Sequence, residues 1–312
     1  MFAACAIGYN HTFVIDRNGY LWYWHNAVLE PKKVVGLDLP LFVSVVFSEN
    51  YVIVLDEFDC IWFDALKGKP DVLLRKKREL NNIQAIFPRS TTFNFFCTAL
   101  DIDGKIWDVN EAESVKFHHD ILPPIKYLSS DGGQQGLFAG IDYKDNIWFW
   151  KKDIEPEKID ESFLECKLVI AENDCIKILS KDGEIWKYFN SDSPSQCIFN
   201  FIQLPKFHKI STSGKYAIAL DEGGKSWIWG MASINHCTFG AGGVFHIIGH
   251  PILFDKIPPA ESIFCGCDRV IVFTKERTVL QIKGDINQVY GLSCKLEFDD
   301  LNSIQRIKSA RK

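Results

Sequence analysis

The sequence Asp101-Ile102-Asp103-Gly104-Lys105-Ile106-Trp107 returns in modified form six more times along this chain of 312 residues. Each copy starts with an acidic or hydroxyl residue, passes through a short polar turn and reaches an aromatic or apolar residue six positions later. The copies start at Asp16, Asp56, Asp101, Asp142, Ser180, Asp221 and Thr274. Their spacing of about 40 residues indicates a repeat protein, in which each unit is one supersecondary element.

Each unit reads as strand, loop, strand, tight turn and strand. Around Asp221, residues 210–213 and 216–220 are extended runs, 221–224 is a turn that favours Asp and Gly, and 226–229 is an aromatic strand. The units show no helical period of useful length, although 70–80 reads as either a short helix or a solvated loop. The pattern therefore predicts an all-β fold.

Seven short antiparallel sheets can stack in a line or close into a ring, and closure removes exposed sheet edges. We predict one seven-bladed β-propeller domain over 1–312, with the recurring tryptophans between adjacent blades. Terminal strands close the ring, and both 303–310 and the N-terminal 2–6 read as the strand that does so. The predicted blades are approximately 1–40, 41–84, 85–125, 126–166, 167–207, 208–258 and 259–312.

The composition limits the classes of partner. Hydrophobic residues make up 47% of the chain and aromatic residues 13%, enough to fill a continuous core. The formal net charge is −5. Because recognition of phosphates requires a basic surface, we expect no direct nucleic-acid partner. No apolar run reaches the roughly 18 residues that a membrane span requires.

Cysteine usage and the N-terminus bear on the compartment. The ten cysteines are irregularly spaced, and Cys5, Cys60, Cys97 and Cys175 fall within apolar strand runs. Cysteine there acts as a small hydrophobic residue, so we expect free thiols. The N-terminus lacks the basic region of a signal peptide. We expect a cytoplasmic or nuclear protein, and delivery into another cell is an open alternative.

The first repeat contains Gly8-Tyr9-Asn10-His11-Thr12, followed by Asn18-Gly19 and Trp22, and the sixth ends in Trp229-Gly230. These motifs resemble the repeats of the regulator of chromosome condensation family, and the resemblance covers essentially the whole chain. WD repeats fit less well, because Trp107-Asp108 is the lone Trp-Asp pair. The founding member of that family opens the nucleotide site of the small GTPase Ran, so the resemblance implies a guanine-nucleotide exchange factor. Many relatives instead serve as scaffolds in signalling or ubiquitin-transfer complexes, and that alternative stays open.

The strand order predicts two faces of the propeller. Loops between the first and second strands of each unit ring the central channel on one face, and the tight turns lie on the other. The first set mixes acids, amides and tyrosine, which suits a polar protein partner. The candidate contacts in these loops are Tyr9, Asn10, Glu49, Asn50, Gln134, Gln135, Glu172, Asn173, Lys215, Asp268 and Arg269.

The widest interval between repeats contains an insertion, 231–251, rich in Gly, His and Phe. Loops of this length are often functional. Phe239 and Phe245, with His246 beside them, are candidate anchors for a partner, and the insertion could serve as the wedge of an exchange factor. Cys237, His246 and His250 lack a Cys-x-x-Cys pair, and we expect no metal site.

Two further patterns concern activity and location. Arg75-Lys76-Lys77-Arg78 reads as a nuclear-import signal or a solvated charged surface. The chain has no phosphate-binding loop, no nucleophile elbow and no His-Glu-x-x-His motif. We therefore expect a monomeric protein-interaction module without a cofactor, either a regulator of a Ran-like small GTPase or a scaffold, whose only expected activity would be nucleotide exchange.

Overall fold

The structure is a computed structural model. It describes residues 4–8, 10–25, 30–36, 38–48, 50–66, 71–77, 80–88, 97–111, 114–116, 121–130, 136–151, 154–159, 165–172, 175–189, 196–197, 204–212, 216–231, 247–255, 257–266, 269–276, 278–283 and 289–291.

The described residues form seven sheets of four antiparallel strands each. The first four sheets, in chain order, consist of β1 (Ala4–Ile7), β2 (His11–Ile15), β3 (Leu21–His25) and β4 (Lys32–Lys33); β5 (Phe42–Ser48), β6 (Tyr51–Asp56), β7 (Ile61–Ala65) and β8 (Arg75–Lys76); β9 (Ile83–Pro88), β10 (Cys97–Asp101), β11 (Ile106–Val109) and β12 (Ser114–Lys116); and β13 (Ile125–Ser130), β14 (Phe138–Asp142), β15 (Ile147–Trp150) and β16 (Glu157–Ile159).

The remaining three sheets continue the same order. They consist of β17 (Cys166–Glu172), β18 (Cys175–Ser180), β19 (Ile185–Phe189) and β20 (Gln196–Cys197); β21 (Phe207–Thr212), β22 (Tyr216–Asp221), β23 (Ser226–Met231) and β24 (Ile247–Phe254); and β25 (Ala260–Cys265), β26 (Arg269–Thr274), β27 (Val279–Lys283) and β28 (Val289–Gly291). In every sheet each strand pairs with the next one along the chain. The all-β, seven-bladed propeller is therefore confirmed.

Each sheet has one strand more than its repeat predicted. Most of the additional outer strands are two or three residues long, such as β4 and β8. An alternating pattern cannot be recognised in so few residues, because it needs a run of about four to eight. The insertion predicted at 231–251 is shorter than expected, since Met231 ends β23 and 247–251 belong to β24. Within the described ranges, no helix has the length and apolarity for a membrane crossing.

A β-bulge recurs on the innermost strand of six sheets, and the sequence pattern did not predict it. The register of the first strand against the second skips one residue near the start of the first strand. An extra residue of this kind bends the strand and increases its twist. The skipped residues are Val43, Gln84, Lys126, Lys167, His208 and Glu261.

The core lies between neighbouring sheets, where apolar side chains of one sheet pack against those of the next. Phe13 and Val54, for example, belong to one cluster that joins the first and second sheets. The half-buried tryptophans of the repeats pack against these clusters, as predicted; they are Trp22, Trp62, Trp107, Trp148, Trp186 and Trp227. The thiols of Cys60, Cys97 and Cys175 are buried and free, also as predicted.

The ring closes where the first sheet packs against the seventh. Val14 and Trp24 of the first sheet share one cluster with Ile271 and Phe273 of the seventh. The Trp24 indole donates a hydrogen bond from Nε1 to Oε1 of Gln281, at 3.2 Å, in the buried interior. Side-chain packing thus joins the two ends of the described chain. The segment 303–310, predicted as a closing strand, lies outside the described residues.

Candidate functional site

The antiparallel order of the strands gives the propeller two different faces. We call the end with the first-to-second and third-to-fourth connections the loop face; it contains Asn10, Asn50 and Glu111. We call the opposite end the turn face; it contains the second-to-third turns, such as Ile102–Lys105, and the connections between sheets. This arrangement matches the two faces predicted from the sequence.

On the turn face, the repeated motif forms one hydrogen-bonded unit. Oδ1 of Asp101 accepts hydrogen bonds from the backbone N–H groups of Asp103 and Lys105, at 3.0 and 2.8 Å. Oδ2 of the same carboxylate accepts one from Nε1 of Trp107, at 2.9 Å. The bond to Trp107 explains why an indole follows the acid by six positions. Equivalent hydrogen bonds from an indole N–H are accepted by Asp16, Asp56, Asp142 and Asp221.

The carboxylate of Asp142 shows the electrostatics of these turns. Burial raises the pKa of Asp142. Hydrogen bonds lower it by more than burial raises it, so the pKa lies below its usual value; the donors are the Asn146 and Trp148 side chains and the backbone N–H groups of Asn146 and Lys144. The ionised group therefore adds stability above the pH at which it titrates in the unfolded chain. That contribution is lost as the pH falls through the lowered native pKa. These bonds give the acid a structural role.

Two sheets use a hydroxyl residue in place of the acid. Ser180 Oγ accepts from the backbone N–H of Glu184, at 3.0 Å, and Thr274 Oγ1 accepts from that of Thr278, at 3.1 Å. A hydroxyl cannot reach the indole, and Trp186 Nε1 instead donates to Oε2 of Glu184, at 3.3 Å. The fifth sheet thus forms the same turn with fewer hydrogen bonds. Comparison with it measures what the acid contributes to the stability of the other turns.

The glycine of the motif connects one sheet to the next. Gly104 has a φ of +78°, and its carbonyl accepts a hydrogen bond from the backbone N–H of Ile125, the first residue of the fourth sheet, at 3.0 Å. A Cβ at this position would lie 2.7 Å from the backbone nitrogen of Ile125. The left-handed conformation and the close approach both favour glycine at this position, although Asp59 and Asp145 adopt φ values of +61° and +64° at the equivalent positions of the second and fourth sheets.

We expect Gly104→Ala to lower the free energy of unfolding by about 2–3 kcal/mol, because left-handed strain adds to the displacement of backbone. The matched control is Gly223→Ala in the sixth sheet, whose added Cβ would meet only Asp221 Oδ1, at 3.2 Å. That variant should lose less than about 1 kcal/mol. Urea unfolding of both variants measures the difference. Equal losses would show that the sheet-to-sheet contact does not constrain this turn.

On the loop face, the structure tests the position of four of the predicted contacts. Asn10 and Asn50 are exposed, and the Asn50 carbonyl accepts a hydrogen bond from Leu66 N–H, at 2.7 Å. Glu172 is the last residue of β17. The remaining predicted contacts lie outside the described residues: Tyr9, Glu49, Gln134, Gln135, Asn173, Lys215, Phe239, Phe245, His246 and Asp268.

Arg269 differs from its predicted position on the surface of a loop. Its side chain is 1% exposed. Its carbonyl accepts hydrogen bonds from Gly266 N–H and from the buried hydroxyl of Tyr216, at 2.8 and 2.9 Å. The enclosed side chain is therefore not presented on the loop surface, and the carbonyl of Arg269 links the seventh sheet to Tyr216 of the sixth.

The first-to-second loops of the first and seventh sheets share one geometry. Gly8 N–H donates to the His11 carbonyl at 2.9 Å, as Gly266 N–H does to Arg269. Arg269 therefore occupies the place of the motif histidine. The His11 and His25 rings meet edge to face, with centroids 5.2 Å apart. Burial, and then the charge of His25, lowers the pKa of His11.

A network on the loop face joins the second and third sheets, and the sequence pattern did not predict it. Tyr51 donates from its hydroxyl to Oε1 of Glu111, at 2.9 Å. Nη2 of Arg75 lies 3.8 Å from the same oxygen. The Lys77 ammonium donates to the Glu111 carbonyl, at 3.2 Å. Partners so far apart in the chain cannot be paired without knowing the sheet order.

The basic stretch that starts at Arg75 is neither a helix nor a loop at its first two residues, which form β8. Lys77 is 4% exposed, so the folded protein does not present the stretch as a continuous solvated signal. Of the weak metal candidates, Cys237 and His246 lie outside the described residues, and His250 is in β24. Within the part of the chain that the structure describes, His, Cys, Asp and Glu form no group of three or more that could hold a metal ion.

No protein-family model matches this chain, and no curated protein matches its sequence. Solved structures do share its fold. Human WBSCR16 superposes with a TM-score of 0.67 at 11% identity, covering 87% of this chain and 86% of that one. Prp20p from Saccharomyces cerevisiae, studied for its binding to Gsp1p and histones, gives a TM-score of 0.65 at 13% identity, covering 84% and 80%. YCF48, solved bound to a D1 peptide, gives 0.63 at 12% identity, covering 91% and 93%. At these identities, the likeness shows the shared fold alone.

Proposed function

We propose that this propeller is a protein-interaction module that binds and regulates a small GTPase of the Ran type through its loop face. The observation that supports the proposal is the seven-bladed fold, together with repeat motifs that resemble those of the regulator of chromosome condensation family. Prp20p, which was studied for its binding to Gsp1p, has the same fold over 84% of this chain. Because a fold hosts many functions, the proposal also depends on the side chains that the loop face exposes.

The loop face has the polar character that such a partner requires. Its exposed acids are Glu30, Asp71, Glu111 and Glu155. Among the described residues, Lys32 and Arg75 are exposed bases at the equivalent end of β4 and β8, and the Arg75 guanidinium already lies beside Glu111. An acidic face attracts the basic surface of a partner and increases the rate of association. On the turn face, the first acid of each repeated turn is instead committed to hydrogen bonds within the turn.

Nucleotide exchange is the finer form of the proposal. An exchange factor stabilises the nucleotide-free state of the GTPase by contacting the switch segments that the γ-phosphate and Mg²⁺ otherwise order. Such a protein needs a rigid surface of the right shape and no acid, base or metal of its own. A closed propeller, in which each sheet packs against its neighbours, provides that rigid surface.

Complex formation tests the proposed face. Nucleotide-free Ran and a panel of other small GTPases would be immobilised, and binding measured by biolayer interferometry. We expect Asn10→Arg combined with Asn50→Arg to weaken the complex tenfold or more, because both exposed amides lie on the loop face. Asp182→Arg, an equally exposed change in a turn of the fifth sheet, is the matched control and should leave binding unchanged.

Each outcome of that comparison decides between faces. If the Asp182 variant lost binding and the double asparagine variant kept it, the turn face would be the docking face. If no GTPase bound the folded wild-type protein, the propeller would be a scaffold for another class of partner, and its partners would have to be sought by affinity capture.

A further inference from the structure

The turns of the turn face form an internal comparison, because each sheet has the same turn after its acid or hydroxyl residue. In the second, third and fourth sheets, these turns expose a large apolar side chain: Phe58 is 69% exposed, Ile102 54% and Tyr143 58%. In the other sheets, the corresponding two positions are occupied by Arg17 and Asn18, Lys181 and Asp182, Glu222 and Gly223, and Lys275 and Glu276. At these two turn positions, the apolar residues thus occur in three consecutive sheets; elsewhere on the turn face, Tyr20 is 41% and Val35 75% exposed.

These three turns are connected by hydrogen bonds into one surface. The Tyr143 hydroxyl donates to the Ile102 carbonyl, at 3.4 Å. Ile102 N–H donates to the Asn82 carbonyl, at 3.0 Å, and the next residue, Ile83, donates to the Asp59 carbonyl, at 3.1 Å. Ile121, 54% exposed, lies in the connection between the third and fourth sheets. We call Phe58, Ile102, Ile121 and Tyr143 the apolar sector.

The apolar side chains are not needed for the turns themselves. The turn of the second sheet is built by Asp56, whose Oδ1 accepts from the backbone N–H groups of Phe58 and Cys60. The equivalent turn of the sixth sheet uses Asp221 in the same way with glycine at the position of Phe58. Contiguous exposed apolar surface of a few hundred Å² in a folded protein commonly marks an interaction site.

The charges around the apolar sector are arranged asymmetrically. In the third sheet, at its centre, Lys105 pairs with Asp103 at 2.9 Å, and in the fourth sheet Lys126 pairs with Asp145. At the end formed by the second sheet lie two acids, Glu57 and Asp59. At the end formed by the fourth sheet lies the exposed base Lys144. The sector is therefore acidic at one end, neutral in the middle and basic at the other end.

We propose that a second copy of this chain docks on the apolar sector, so that the protein forms a two-fold dimer through its turn face in place of the monomer expected from the sequence. In a two-fold interface, each residue meets the residue at the opposite end of the same patch. The acidic end at Glu57 then faces Lys144 of the other copy, and Ile102 lies near the axis. The patch is complementary to itself, which a different partner would not require.

The expected strength follows from the composition of the patch. The patch has four exposed apolar side chains with polar turn residues beside them, as in interfaces with an apolar centre and a polar rim, and standard interfaces bury about 800 Å² per partner. Such an interface, with no large aromatic cluster at its centre, supports a reversible dimer in the micromolar range. Both loop faces point away from the contact, so a dimer would leave the proposed GTPase site open on each copy.

Sedimentation velocity between about 1 and 100 µM tests the dimer, with the full chain throughout. We expect a reversible monomer–dimer equilibrium for the wild type and its loss in Phe58→Asp. Glu57→Lys and Lys144→Glu should each weaken the dimer about fivefold, because each variant places like charges opposite each other twice. The combination of the two reversals restores opposite charges and should recover the wild-type affinity. Glu222→Lys, at the equivalent exposed turn of the sixth sheet, is the control and should leave the dimer affinity unchanged.

The rescue makes the test decisive. Glu57→Lys also removes the hydrogen bond that Glu57 Oε1 accepts from Leu41 N–H, so thermal unfolding of each variant checks the fold. Lys144→Glu reverses a charge with no such bond. A wild type that stays monomeric at 100 µM would overturn the proposal, as would a dimer that survives Phe58→Asp or a double reversal weaker than either single one. None of these results depends on whether a GTPase binds the loop face.

Discussion

We expect Trp24→Ala to lower the free energy of unfolding by about 4 kcal/mol, because truncation of a large buried aromatic side chain leaves a cavity that the surroundings fill only partly. Trp24 is 2% exposed and lies at the contact between the first and seventh sheets, beside Ile271 and Phe273. Its loss also leaves the Gln281 amide oxygen without its indole donor inside the core. Unsatisfied buried polar groups typically cost a further 1–3 kcal/mol.

The same substitution tests whether the ring is closed. In a closed ring, weakening one contact between sheets lowers the stability of the whole domain, and unfolding remains one transition. In an open array, the terminal sheet would separate alone, since each unit contacts only its neighbours. Chemical denaturation followed by tryptophan fluorescence and by circular dichroism distinguishes the two. Coincident transitions at a lower midpoint are expected, and an early separate transition in the variant would contradict closure.

A double-mutant cycle of Trp24→Phe and Gln281→Leu separates the contribution of the hydrogen bond from that of the packing. Trp24→Phe removes the indole N–H and keeps most of the apolar surface. If the bond between Trp24 and Gln281 stabilises the contact, Trp24→Phe and Gln281→Leu together should cost less than the sum of the two single changes, because the second change removes the unpaired amide. Strict additivity would mean that only the packing of the two side chains matters.

Asp101→Ala is expected to lower the free energy of unfolding by about 3–5 kcal/mol, because it removes three hydrogen bonds to one buried carboxylate. The lost bonds are those from the backbone of Asp103 and Lys105 and from the Trp107 indole. Asp101→Asn keeps an acceptor for the backbone but places an amide N–H opposite the indole N–H. It should therefore fall between the wild type and the alanine variant in urea unfolding.

Ser180→Ala is the matched control for this turn. Its hydroxyl accepts one backbone hydrogen bond, and the indole of the same sheet is bonded to Glu184. The expected loss is about 1 kcal/mol, the usual net value of one neutral hydrogen bond. A loss from Asp101→Ala no larger than that from Ser180→Ala would show that the bond between the acid and the indole contributes little, and the explanation of the repeated spacing would be wrong.

The repeated motif allowed the sequence to predict the architecture because its interactions are local. Asp101 and Trp107 bond within one turn, so their spacing is visible in the chain and repeats with each sheet. The short outer strands and the bulges were not predictable in the same way. A strand of two residues has no period, and the bulge at Gln84 is defined only by the register of β9 against β10.

The candidate site was predicted in outline only. Which connections share a face follows from the strand order alone, and Asn10 and Asn50 are exposed there as expected. Arg269 is buried, and its carbonyl accepts a hydrogen bond from Tyr216, which belongs to another sheet. The pairing of Tyr51 with Glu111 likewise joins two sheets. Contacts of this kind depend on how neighbouring sheets pack against each other, and the sequence pattern of a single repeat does not predict that packing.

Release of a fluorescent guanine nucleotide from Ran, followed with and without this protein, tests the proposed function most directly. We expect catalytic amounts of the folded protein to accelerate release tenfold or more, and the loop-face variant with Asn10→Arg and Asn50→Arg to abolish the acceleration. Release at the uncatalysed rate from Ran and from every other small GTPase of the panel, together with no complex by interferometry, would contradict it.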